Sequence, residues 1–106
     1  MSKISVAKDF TRFPSGRFKK NGGTSGEAFR ERFLESPVKS GEQITVDLDG
    51  TIGYGSSFLE EAFGGLVRSL NISSEIIKSR LDIVSNDPAL LQEVYGYIDE
   101  ANKGSN

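Results

Sequence analysis

Ser56 and Ser57 lie between a glycine-rich stretch, Asp49-Gly50-Thr51-Ile52-Gly53-Tyr54-Gly55, and an apolar run that opens with Phe58-Leu59. Two hydroxyls at such a junction admit three roles. The ordinary one is a helix cap, a serine oxygen accepting from a free backbone N–H. A second is phosphorylation, since the helix start would stabilise a phosphate. A third is a small anion or nucleotide held by the loop and the free N–H groups, with Arg12 and Arg17 as candidate anion contacts. Asp47 and Asp49, two apart, would share one side of a strand and could hold Mg²⁺. Aspartates there more commonly end a strand or cap a loop, so no metal is expected.

Other site chemistries are closed off by composition. The 106 residues include no cysteine, histidine or tryptophan. This removes disulfides, thiolate catalysis, Cys-based zinc sites and Ser-His-Asp chemistry. Gly53-x-Gly55 lacks the third glycine of a dinucleotide fingerprint, because Phe58 stands there. No Gly-Lys-Ser/Thr forms a phosphate loop. No pair of groups looks tuned for acid/base work, so a binding or regulatory module is expected, with no enzyme activity, catalytic residue or cofactor.

The elements that must carry the serines follow from periodicity. Residues 43–48 (Gln-Ile-Thr-Val-Asp-Leu) alternate, with Ile44, Val46 and Leu48 on one face, and read as the best strand. The best helix is expected over 57–70, with Phe58, Leu59, Ala62, Phe63, Leu66, Val67 and Leu70 on its apolar face. Gly64 and Gly65 inside it cost about 1 kcal/mol each against alanine, which implies close approach to a sheet or a hinge. Residues 3–7 read as a short strand, and Phe13-Pro14-Ser15-Gly16 as a type I turn. Residues 17–20 would return as a second strand and close a β-hairpin. Thr24-Ser25-Gly26-Glu27 is a capping-box pattern opening a helix whose stripe is Ala28, Phe29, Phe33 and Leu34; Pro37 limits it and Ser40-Gly41 ends it. A short helix over 75–80, a strand over 81–85 and a final helix after Asn86-Asp87-Pro88 complete the chain. The last stripe is Leu90, Leu91, Val94, Tyr95, Ile98 and Ala101. This order predicts an α/β layered sandwich, a mixed β-sheet packed against helices. One domain over 1–102 and a flexible tail over 103–106 are expected.

Charge is divided unevenly: the net value of −2 splits into +5 over residues 1–40 and −7 over 41–106. Solvated faces account for most such splits. The functional alternative is a basic surface near Arg12, Arg17, Lys19 and Lys20 that meets an acidic partner. Nucleic acid is disfavoured because the patch is short and the chain acidic. No apolar stretch approaches the ~18 residues of a membrane span, and none reads as a signal peptide. A cytoplasmic protein without membrane association is the expectation.

Three segments together resemble the STAS-like domain family of unknown function over nearly the whole chain. They are Arg12-Phe13-Pro14-Ser15-Gly16-Arg17, Ser25-Gly26-Glu27-Ala28-Phe29-Arg30, and Val46-Asp47-Leu48-Asp49-Gly50 running through Tyr54-Gly55-Ser56-Ser57-Phe58-Leu59 to Leu66. The broader STAS family includes bacterial anti-sigma-factor antagonists. There a strand ending in Asp-Leu leads to Asp-Ser-Ser/Thr-Gly-Leu at a helix start, and a partner kinase phosphorylates the second hydroxyl residue. An ungapped overlay from Asp47-Leu48 puts Ser56-Ser57 on the hydroxyl pair and Leu59 on the Leu. Gly55 stands where that family has Asp, and Phe58 where it has Gly.

The resemblance implies a bacterial, non-catalytic protein–protein module in signal transduction. Its partner would be a histidine-kinase-like ATPase or a serine kinase. Ser57, or Ser56, would accept phosphate, while Asp49, Gly50, Gly53, Tyr54, Gly55 and Phe58 would form the partner or anion loop. A phosphate beside Glu60 and Glu61 would be repelled. The alternative is a small-anion or nucleotide sensor using the same loop. A homodimer stays open.

Overall fold

The computed structural model describes residues 2–104, with side chains described for 2–101. Three short strands, β1 (Ser2–Ser5), β2 (Ile44–Asp47) and β3 (Leu81–Val84), form a sheet in the order β1-β2-β3. Both pairings are parallel, with Ile4, Val46 and Ile83 in one register row and Lys3, Thr45 and Asp82 in the next. Two parallel neighbours require two crossovers. Both advance in the same direction across the sheet, so the right-handed rule puts their helices on one face. Burial agrees: Ile44, Val46, Leu81 and Ile83 are buried, while Lys3 and Asp82 are exposed. The architecture is a two-layer α/β sandwich.

The first crossover carries α1, a helical run over 26–39. It comprises Gly26–Phe29, a wider-wound segment Arg30–Leu34, and Glu35–Lys39. The second carries α2, a similar run over 56–70 built from Ser56–Leu59, Glu60–Gly64 and Gly65–Leu70, followed by α3 (Ser74–Arg80). The last helix is α4 (Pro88–Gly104). Asn71, at φ 54°, closes α2 in the left-handed conformation. Ser73 caps α3 through Ile76 N–H, and Asp87 caps α4 through Ala89 N–H at 3.0 Å.

The core joins all of these. Phe29, Phe58 and Phe63 are fully buried with Leu48, Leu59, Leu66, Val94 and Ile98. Phe10 and Phe33 complete an aromatic cluster, with Phe10–Phe29 and Phe29–Phe33 centroids both 5.4 Å apart. Offset and tilted ring pairs of this kind add to simple burial.

Several expectations change. The hairpin does not form: 17–20 is not a strand, Lys19–Asn21 is a 3₁₀ turn, and β1 pairs with β2 instead. The turn at 13–16 does not reverse the chain onto β1. Its backbone docks on the start of α1, with Ser15 N–H donating to Thr24 O and Gly26 N–H to Gly16 O. The antiparallel partner that would have made the sheet mixed is therefore missing, and the sheet is wholly parallel. β1 ends at Ser5 because Ser5 Oγ caps Lys8 N–H and Asp9 takes Ser5 N–H at 2.8 Å, bending Val6–Phe10 into a helical turn. The cap of α1 is Ser25, whose oxygen accepts from Ala28 N–H at 3.1 Å, one residue after the expected Thr24. Pro37 sits within the last turn of α1, which ends at Ser40-Gly41. α4 runs to Gly104, and residues 105 and 106 of the expected tail lie outside the described residues.

Gly64 and Gly65 face neither the sheet nor a hinge. A Cβ on Gly64 would meet Tyr97 O of α4, and one on Gly65 would strike the Arg30 guanidinium of α1. The glycines admit a neighbouring helix and a buried cation, which explains their helix cost.

Candidate functional site

In parallel sheets, ligands and partners favour the crevice at the carboxyl ends of the strands. Here that edge is built from the segment after β1, the loop 48–55 after β2 and the loop 85–87 after β3. Gly50 (φ 99°) and Gly53 (φ 141°) let loop 48–55 take conformations closed to other side chains. Tyr54 pins this loop: its half-buried hydroxyl donates to Leu48 O at 2.7 Å, and burial raises its pKa above the usual tyrosine value. Its ring packs on Phe58 at 5.9 Å. Tyr54 thus shapes the loop from inside.

Asp49 is also committed within the fold. Its carboxylate accepts from Ser85 Oγ at 2.9 Å and Asn86 N–H at 3.0 Å, tying the β2 loop to the β3 loop. Asp47 Oδ1 accepts from Asp49 N–H at 2.9 Å. Among the described residues, no group of three or more carboxylates gathers as a metal cage.

Ser56 and Ser57 are exposed in the first turn of α2. Gly55 occupies the cap position, with no side-chain cap bond, so neither serine serves the ordinary capping role. Both residues are exposed, and Ser56 lies within hydrogen-bonding reach of the Tyr97 hydroxyl on α4. Gly53 and Gly55 are exposed beside them. Phe58 is placed differently from the expectation. It is 0% exposed and belongs to the aromatic core, so it backs the loop and offers no surface to a partner.

A strap, residues 11–18, borders the serine loop. Ile52 N–H donates to Arg12 O at 3.0 Å at one end of it. At the other, the Arg17 guanidinium pairs with Glu60 and reaches Glu61 at 3.4 Å. Glu60 and Glu61 lie three and four residues beyond Ser57, so Arg17 sits about one helical turn from that hydroxyl. Arg12 is not near Arg17 in role or partners. It is exposed over an open hollow shared with Ser5, Lys8, Asp47 and Asp49. The two arginines therefore do not close on one anion.

Sequence periodicity gave no hint of the ion network behind Ser57. Arg30 is 6% exposed and donates to Glu61 O at 2.8 Å, to Glu61 Oε2 at 2.6 Å and to Glu35 at 2.8 Å. Arg68 forks onto Glu60 at 2.6 and 3.0 Å. Burial works to raise the pKa of Glu60, but the bonds and charges of Arg68 and Arg17 outweigh it and hold the group below its ordinary value. Burial likewise acts first on Glu35, and the bonds from Arg30 and Ser69 overturn it, again lowering the pKa. Glu60 and Glu61, the carboxylates one turn beyond Ser57, are thus already paired with cations. Glu60 and Glu61 therefore do not stand as bare charges beside Ser57. The only sequence signals were a charged residue inside Ala28-Phe29-Arg30 and the Gly64-Gly65 pair that admits it.

Sequence periodicity also gave no hint of Phe13 and Ile52, which are 59% and 70% exposed and are brought to adjacent loops by the Ile52–Arg12 bond. No helix is long and apolar enough to cross a membrane among the described residues.

The family model described as a STAS-like domain of unknown function (DUF4325) matches residues 25–90, and the chain belongs to that family. The match takes in the serine loop and α2 but leaves out the strap and β1, less than the nearly complete coverage expected. The chain matches no curated protein and no solved structure.

Proposed function

We propose that this STAS-like domain is a non-catalytic regulatory module in bacterial signalling, docking a histidine-kinase-like ATPase or serine kinase through loop 53–57 and the exposed side of α2. Phosphorylation of Ser57, with Ser56 as the other acceptor, would switch the interaction. The observation that carries this reading is the exposure of both serines in the first turn of α2 without any capping duty. A free hydroxyl there is open to a kinase, and helix N–H groups would stabilise the product.

Arg17 adds a means of response. A phosphate on Ser57 would compete with Glu60 and Glu61 for the same guanidinium. Adding roughly −1.5 to −2 charge would then change the partner face both directly and through the strap.

Pull-down from the source cell with wild type, Ser57→Ala and Ser57→Asp tests the switch, together with mass spectrometry after incubation with the captured partner and ATP. Loss of binding with Asp alone, and phosphate mapped to Ser57 or Ser56, are the expected results. Equal capture by all three forms and no modified serine would end the switch reading.

A further inference from the structure

We propose that the strap 11–18 and the adjoining loop at Ile52 form a docking surface for an acidic partner-protein segment with apolar side chains among its carboxylates. The proposal rests on the reading of this end of the molecule as a partner face. It adds the chemistry of the occupant.

Phe13 and Ile52 are the two most exposed large apolar residues described, and Phe18, at 38%, stands on the same strap. Their exposure is not that of a loose loop. Thr11 Oγ1 accepts from Phe13 N–H at 3.0 Å, Pro14 is buried, and Arg12 O holds Ile52 N–H. Ser15 N–H, Gly16 O and Arg17 O are all bonded to the start of α1. The apolar groups are therefore presented on a fixed backbone, which lowers the ordering cost of binding.

The charges around them point to the occupant. Arg17 and Lys19 are spent on Glu60 and Glu31. Lys8, Arg12 and Lys20 are exposed and make no ion pair among the described residues, and Lys20 lies 5.8 Å over the Phe18 ring. The nearby Asp49 and Asp47 are occupied by backbone and serine donors. Uncommitted cations flanking apolar anchors complement carboxylates flanking apolar side chains. A nucleic-acid backbone would call for more cations than this and would gain nothing from Ile52, on a chain of net charge −2.

The test pans a random twelve-residue peptide library on phage against the intact domain. The enriched peptide is then titrated by fluorescence anisotropy and by amide chemical shifts. Enriched sequences should interleave Asp/Glu with Leu, Ile or Phe. Phe13→Ser and Ile52→Ser should each weaken binding at least about ten-fold, Arg12→Glu at least about three-fold. Ile76→Ser, at an exposed apolar site on α3, should leave it unchanged. Shifts should concentrate at 8–20 and 50–53. Melts of each variant show that the fold is kept, and Phe13→Leu should restore most of the affinity. No enrichment, basic or uncharged winners, or equal binding by the Phe13 and Ile52 variants overturns the proposal. So does Phe13-dependent binding to single-stranded oligothymidine or to phosphatidylglycerol vesicles in place of peptide. Ser57→Asp separates the two readings. Peptide binding that ignores Ser57→Asp but needs Phe13 upholds this surface without the switch. Partner binding that needs Ser57 but ignores Phe13 and Ile52 refutes this surface alone.

Discussion

Replacing Phe58 by alanine distinguishes a loop residue from a core residue. Phe58 is 0% exposed, with ring centroids 5.9 Å from Tyr54, 6.0 Å from Phe29 and 6.5 Å from Phe10. Its own carbonyl abuts Gly26, where α1 crosses α2, so the backbone has little freedom to collapse into the void. Phe→Ala in such a site costs about 3–5 kcal/mol, the cavity adding to the lost transfer energy. Three ring partners place the expected value in the upper half of that range. Unfolding entropy near the midpoint is about 2.1 cal/mol/K per residue, or about 0.22 kcal/mol/K for this length. The midpoint should therefore fall by roughly 18–23 °C. Phe13→Ala serves as the counterpart, since its ring is 59% exposed and should change stability by no more than about 0.5 kcal/mol. Urea unfolding by circular dichroism measures both. A Phe58→Ala loss under about 1 kcal/mol, or equal losses for the two variants, would refute the placement of Phe58 in the core and restore it to the partner loop.

Other substitutions probe the positioning groups. Gly26→Ala should destabilise by about 1–3 kcal/mol despite alanine's better helix propensity, because the new methyl meets the Phe58 carbonyl; thermal melts decide it. Arg30→Met should cost about 1–3 kcal/mol by taking from Glu61 and Glu35 their closest cation, while Arg17 and Arg68 remain 3.4 and 3.5 Å from Glu61, and adding Glu61→Leu should recover part of that, as a double-mutant cycle in urea would show. Asp49→Ala should cost about 2–3 kcal/mol and speed amide exchange at Asn86, since the carboxylate ties loop 48–55 to loop 85–87. The lowered pKa values of Glu35 and Glu60 give a signed pH response. Each binds fewer protons folded than unfolded near the ordinary glutamate value of about 4.3, so their contribution is present above that value and lost as pH falls below it. Glu60→Gln should flatten that acid limb of the stability profile.

Much of the fold was legible in the chain because it is written in local terms. The alternation of Ile44, Val46 and Leu48 and the helical stripe from Phe58 to Val67 each describe one element's buried face. Asn71 marks a helix end by its left-handed backbone, and Ser73 and Asp87 mark helix starts through bonds to their own neighbours. The hairpin was misread because a Pro-Gly turn states that the chain bends, not what it bends toward. The docking of 15–17 on α1 is a non-local choice.

The candidate site divides the same way. Sequence by itself determined that histidine and cysteine chemistry is absent, that two serines follow a glycine loop, and that the chain resembles a STAS-like domain. Tertiary structure alone decided which groups at that loop face outward. It left Ser57 free, sent Phe58 into the core, spent Asp49 on the next loop and put Arg17 beside Glu60. The physical reason is that exposure and ion pairing depend on what packs opposite a residue. Here the opposing groups come from segments about 30 to 50 residues away in the chain, beyond the reach of any local pattern.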